Sequence, residues 1–229
     1  VAACRGQLHQ MLDQESAAGS VCDWSYQANT AKAVYALIDR ALMEFQTQRP
    51  RSKHIQIPIS QLEGLAVPAP ANTTTLTASC GETDLDLNGL AHALTTARKP
   101  LFIIGGGAAD AGAQLYSTHE ACGAACFETY AGRGIVPFSY PLNFGAALAR
   151  PSSAQIMAEA DCVVAIGTEL SEVDLWRDHI GHNCPLYRID IDPECLSDHH
   201  RADVGIQARA KDALVALLRV LPESKSKWE

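Results

Sequence analysis

Polar and apolar positions along this chain follow two different rhythms. From Thr30 onward, Ala33, Val34, Leu37, Ile38, Ala41, Leu42 and Phe45 recur at three- and four-residue spacing, which predicts one helix with an apolar face. Thr30 is its cap, and it ends near Arg49-Pro50. His54 to Ile59 then alternates polar and apolar, the period of a strand, closed by Pro58. Residues 1–27 carry weak signals. After residue 84 the rhythm changes to short unbroken apolar runs separated by amphipathic stretches. Helices are expected at Asp86 to Ala97 (with Leu85, Leu87, Leu90, Ala93 and Leu94 facing inward), Ala109 to Cys122, Ser152 to Glu159 and Ala210 to Leu221. Strands are expected at Leu101 to Ile104, Ala125 to Thr129, Cys162 to Ile166, Leu186 to Ile191 and Val204 to Ile206. Apolar runs of this length alternating with helices predict an α/β fold with a doubly wound parallel sheet. Residues 64–84, with Pro68, Pro70, three threonines and Gly81 but no period, read as a linker. Four segments follow: a helix-strand remnant of a second α/β domain at 1–63, the linker at 64–84, the sheet domain at 85–222 and a tail at 223–229.

In a parallel sheet, ligands sit beyond the carboxyl ends of the strands. Those ends are Gly105 to Gly107, Glu128 to Tyr130, Gly167-Thr168 and Asp190 to Asp192. The first is the richest. Leu101 to Ile104 runs into three glycines and then an Ala-rich segment, a strand-glycine-helix join whose amides favour an anion such as a phosphate. Gly105 and Gly107 fit the first part of G-x-G-x-x-G, but the third glycine falls at Asp110 and Gly112 comes two residues late.

Composition narrows the partners. The chain has 229 residues, 47% hydrophobic and 19% charged, as in ordinary globular proteins. A net charge of −8 with no basic run argues against nucleic acid. No apolar run approaches the roughly 20 residues that cross a bilayer, and no signal segment opens the chain. The eight cysteines include no C-x-x-C pair, and several lie inside apolar runs, so reduced thiols in the cytoplasm are expected. The chain starts at Val1 without a methionine, and a piece of a longer polypeptide is expected.

Taken together, several blocks resemble the thiamine-diphosphate-dependent enzymes of the acetolactate synthase and 2-oxo acid decarboxylase type. Arg49-Pro50-Arg51-Ser52-Lys53-His54-Ile55-Gln56-Ile57-Pro58 resembles that family's R-P-G-P-V-x-(I/V)-x-(I/L)-P strand, and Gln14-Glu15 its upstream Q-E pair. Arg98-Lys99-Pro100 with the glycine run, Gly132 to Pro137, Ala158 to Thr168 and Ile189 to Glu194 resemble the Rossmann-like central domain. The resemblance implies the end of the pyrimidine-binding domain followed by the central domain. It also implies a parent that decarboxylates a 2-oxo acid or joins it to a second carbonyl compound, using thiamine diphosphate and Mg²⁺. The parent's G-D-G motif is not in this sequence, its catalytic glutamate would precede Val1, and Glu15 comes too late to be that residue. No catalytic or metal residue is therefore expected in this chain, and alone it is expected to be inactive.

For the central domain the resemblance implies FAD or an adenine nucleotide such as ADP in some members and an empty crevice in many decarboxylases. Gly105, Gly106 and Gly107 would lie by a phosphate, Asp190 and Ile191 by a ribose or adenine, and Thr168 at the neighbouring strand end. Phe144 to Arg150 departs from the G-M-x-G-type loop of the flavin enzymes. Expected partners are the missing thiamine-diphosphate-binding domains of the same polypeptide and, in the parent, a homodimer or homotetramer.

Two other readings remain open on the residues alone. Glu128 stands where a nicotinamide-binding domain of a dehydrogenase puts its ribose acid. A non-catalytic module serving subunit packing is the second. His179, His182 and Cys184, like Cys195 with His199-His200, form single loop clusters, short of the converging pairs that zinc needs. Cys122 and Cys126 are expected to be buried.

Overall fold

The structure is a computed structural model that describes residues 11–69, 86–224, 226 and 228. Most of the expected linker, together with Leu85, Cys4 and Cys80, lies outside the described residues. By contacts the chain divides into two compact units, Val1–Ala78 and Ser79–Glu229.

The first unit contains α1 (Gln14–Gly19), β1 (Trp24–Gln27), α2 (Ala31–Thr47), β2 (Lys53–Gln56) and α3 (Ile59–Leu62). Thr30 caps α2 as expected, its hydroxyl accepting the Ala33 amide at 3.1 Å. Strand β1, which the sequence did not signal, pairs in parallel with β2 from Trp24↔Lys53 to Gln27↔Gln56. The apolar face expected on α2 is only partly covered. Ala41 is buried, but Ile38, Leu42 and Phe45 are 41–50% exposed. Two short strands offer too little surface to cover a 17-residue helix.

Polar groups take over part of that task. The Glu44 carboxylate accepts from the Trp24 indole at 2.8 Å and from Arg40 Nε at 2.7 Å, and pairs with Lys53 Nζ at 2.8 Å. Lys53 also pairs with Asp23. These contacts hold Glu44 well below the usual carboxylate range, at about 2, with the Lys53 hydrogen bond first, then those of Trp24 and Arg40.

The second unit runs α4 (Asn88–Thr96), β3 (Pro100–Ile104), a 3₁₀ turn (Gly106–Ala111), α5 (Gly112–Cys122), β4 (Ala125–Glu128), α6 (Pro151–Glu159), β5 (Cys162–Ile166), α7 (Glu172–Leu175), β6 (Leu186–Asp190), α8 (Pro193–Leu196), β7 (Val204–Gln207) and α9 (Ala210–Val220). Its five strands form one sheet in the order β4-β3-β5-β6-β7, every pairing parallel. Alternate residues of β3 feed two cores. Phe102 and Ile104 join Leu90 and Leu94 of α4, Leu115 of α5 and Leu214 and Leu217 of α9. Leu101 and Ile103 join Phe127, Met157 of α6, Leu170 and Leu175 on the other face. Covered on both faces, the strands need the unbroken apolar runs that the sequence shows.

Two details depart from the expected elements. The helix expected from Ala109 begins as an α-helix only at Gly112, after the tighter 3₁₀ turn. Gly107 is anchored sideways, its amide donating to the Gly167 carbonyl at 3.0 Å, which keeps the chain close to β5 as it leaves the strand. Two described residues of the tail are docked: Ser224 donates its amide to the Ala121 carbonyl at 2.7 Å, and the Trp228 indole donates to the Pro100 carbonyl at 2.7 Å. At that same end of the strands, Asp161 accepts the amides of Arg98 and Lys99, both at 2.8 Å, tying the starts of β3 and β5 together.

Candidate functional site

The strand order places a topological switch between β3 and β5. The chain moves from β3 outward to β4, then returns past β3 to β5, so the connections after β3 and β5 diverge. In sheets of this order that is where ligands bind. Gly105, Gly106, Gly107 and Thr168 meet there, with Asp190 and Ile191 one strand further along the same rim.

Much of their polar capacity is turned inward. The Gly105 amide donates to the Ile166 carbonyl at 2.9 Å, and the Gly107 amide is spent on Gly167. Thr168 is 7% exposed. Its hydroxyl accepts the Leu170 amide at 3.0 Å and its carbonyl accepts from Arg188 Nη2 at 2.9 Å. Asp190 Oδ1 accepts the Asp192 amide at 2.9 Å, and the Ile191 carbonyl accepts from Gln207 Nε2 at 3.5 Å.

One cleft among the described residues lies away from them. A cleft of about 490 Å³ sits beyond β4, at the edge of the sheet, in the long loop that leads to α6. Tyr130, Arg133, Phe138, Phe144 and Arg150 line it, and none of the six expected site residues does. Guanidinium groups beside aromatic rings suit a flat or anionic group. Sequence reasoning passed over both arginines, although Arg133 lies in the quoted Gly132–Pro137 block and Arg150 ends the departing loop. Glu128 also lines this cleft. It is 3% exposed, and its Oε1 accepts the amides of Gly134 at 3.1 Å and Val136 at 3.0 Å. A carboxylate committed to shaping its own loop is a poor receptor for ribose hydroxyls, which weakens the nicotinamide reading.

Other titratable groups belong to the core. His119 is fully buried against Phe102 and Tyr140, ring centroids 4.9 and 5.2 Å away. Its Nδ1 bonds the Leu115 carbonyl at 2.6 Å and Nε2 has no partner. A carbonyl only accepts, so Nδ1 carries the proton and the ring is neutral. Burial lowers its pKa to about 4. Burial raises Cys122 to about 11, Cys162 to about 12 and Cys126 further, so these three stay thiols. Among the described residues no group of three or more His, Cys, Asp or Glu could hold a metal ion, and no helix is long and apolar enough to cross a membrane.

Comparison with known proteins accords with this geometry. The model of the family described as thiamine pyrophosphate enzyme, central domain, matches residues 87–217, which span the five-stranded sheet. The chain is 36% identical to the probable 2-ketoarginine decarboxylase AruI of Pseudomonas aeruginosa, over 95% of this chain and 39% of that protein. It is 26% identical to the pyruvate oxidase of Lactiplantibacillus plantarum, over 95% of this chain and 37% of that protein. The acetolactate synthase large subunit of Lactococcus lactis is 26% identical over 92% of this chain and 38% of its own length. The chain thus spans about two-fifths of the length of these curated relatives.

Proposed function

The chain belongs to the thiamine pyrophosphate enzyme family, through its central domain, and from that premise we propose that it is the middle portion of a lyase that decarboxylates a 2-oxo acid. The observation that supports this is the 36% identity to a probable 2-ketoarginine decarboxylase, sustained over 95% of the chain. The substrate class proposed is a 2-oxo acid with a long, cationic side chain. Carboligation of the acetolactate synthase kind is the second reading, favoured by the lower but equally extended likeness to those enzymes.

Thiamine diphosphate, when bound, supplies the electron sink for loss of CO₂. The described donor sets of this chain do not suit its magnesium ion, since no acidic or imidazole cluster converges. No catalytic step is therefore assigned to these residues. Their task in this reading is positional: a sheet packed on both faces, with Asp161 clasping two strand starts, sets a fixed spacing for the domains that carry the chemistry. Those domains of the same polypeptide, and an oligomer of it, are the proposed partners. FAD is suggested by the pyruvate oxidase and acetolactate synthase relatives. The residues proposed for it from the resemblance are Gly105, Gly106, Gly107, Thr168, Asp190 and Ile191, of which Gly105, Gly107 and Thr168 direct hydrogen bonds into the fold.

The test is CO₂ release from 2-ketoarginine and simpler 2-oxo acids, with thiamine diphosphate and Mg²⁺ supplied. The polypeptide extended to the length of the relatives is expected to release CO₂, and the 229-residue chain alone to release none. Activity in the chain alone, or none in the extended polypeptide, would refute the proposal.

A further inference from the structure

We infer that the switch-point crevice of this chain is a closed packing joint and that no flavin or adenine nucleotide seats its phosphates there. The inference rests on the family reading above, because that is the source of the nucleotide expectation.

A phosphate at the end of a parallel strand needs free amides and an open glycine face pointing at it. Here the glycine faces are filled by the protein itself. A methyl group built on Gly105 would lie 2.1 Å from the Gly167 carbonyl oxygen and 2.5 Å from Thr168 Cβ. On Gly107 it would lie 2.9 Å from Gly167 Cα, and on Gly106 3.0 Å from Ala131 Cβ. The glycines are required because two loops touch backbone to backbone, a use of glycine different from making room for a ligand. No α-helix N-terminus faces the join either, since the 3₁₀ turn intervenes and α5 starts only at Gly112.

The opposing loop is fastened on its far side as well. The Gly167 amide donates to the Ile189 carbonyl at 2.8 Å, fastening the loop to β6. Leu170, 2% exposed, sits in the left-handed region with φ 54°, and its amide closes back on the Thr168 hydroxyl. Beneath the loop lies Arg188, 1% exposed. Its Nη2 holds the Thr168 carbonyl, while Nη1 binds Asp198 Oδ1 at 2.6 Å and the His200 carbonyl at 2.8 Å. A buried guanidinium with its charge partner in place is costly to displace. The loop is clamped from two sides, by Gly105 and Gly107 and by Arg188.

The purified chain titrated with FAD, followed by flavin fluorescence, and with ADP and NAD, followed by calorimetry, is expected to give no saturable signal. Gly107→Ala and Gly167→Ala, which press a methyl group into the joint, are expected to lower the melting temperature by several degrees with no ligand present. Saturable binding of any of the three ligands that persists when Arg133 and Arg150 of the edge cleft are replaced by Ala would overturn the inference, and so would unchanged melting of both glycine variants; binding lost with those arginines belongs to the cleft and supports the closed joint. If the glycine variants do not fold, the titrations decide alone. Because CO₂ release plays no part in these measurements, this inference and the proposed decarboxylase activity fail separately.

Discussion

On β3 of the five-stranded unit, Leu101, Phe102, Ile103 and Ile104 are all fully buried, whereas on α2 of the first unit Ile38, Leu42 and Phe45 stay 41–50% exposed. Both sets of residues are large apolar side chains. The difference lies in how many partners each finds. A strand inside a five-stranded sheet has a layer of helices over each face, and two short strands cannot cover α2. The first unit instead gathers charge, with Glu44, Lys53, Arg40 and Asp23 joined around Trp24. One unit is held by removing apolar surface from water, and the other leans on a polar network.

Substitution in the larger core breaks this contrast most severely. Phe102→Ala is expected to cost about 3–5 kcal/mol, the transfer loss plus the cavity left in a core that cannot collapse. Urea unfolding of the second unit measures it. A loss below about 1 kcal/mol would mean that the two-faced packing is not what holds the sheet.

Acid separates the units next. His119 has a folded pKa depressed to about 4 against an ordinary 6.5, so the folded state prefers the neutral ring. Stability of the second unit is therefore full above pH 6.5 and declines as pH falls toward 4, by about 3 kcal/mol at the lower end. His119→Phe is expected to flatten the urea midpoint between pH 6.5 and 4; a wild-type midpoint that is already flat there contradicts the burial argument.

The smallest effect is expected in the polar network. Glu44→Gln keeps the shape but removes the charge facing Lys53 and Arg40, at a cost of about 1–2 kcal/mol. Glu44 has a depressed folded pKa, so its contribution is present above the ordinary 4.5 and lost as pH falls through about 2. Amide exchange in β1 and α2 reads this locally. Equal exchange in the variant and the wild type would show that the network does not support the first unit.

Much of the larger unit was legible because its residues report burial directly. The runs LFII and CVVAI appear as β3 and β5, and the helix expected from Ser152 forms as α6, opening one residue earlier at Pro151. The first strand, Trp24–Gln27, was illegible because WSYQ carries neither an apolar run nor strict alternation, and only pairing with β2 makes it a strand. Arg188 was missed for a related reason. In LYRID an arginine looks like a break in the run, and its burial depends on Asp198 and two carbonyl groups that come from other elements.

The glycine run shows where the limit falls. Sequence by itself determined the parallel sheet, the placement of Gly105 to Gly107 at a strand end, and the family, because apolar period and block order are local properties of the chain. Only the tertiary structure decided what those glycines face. A glycine permits close approach without saying what approaches, and here the neighbour is the loop at Gly167, held down by Arg188. That choice depends on which strand returns beside β3, a pairing more than 60 residues away in the chain and set by the packing of the whole unit.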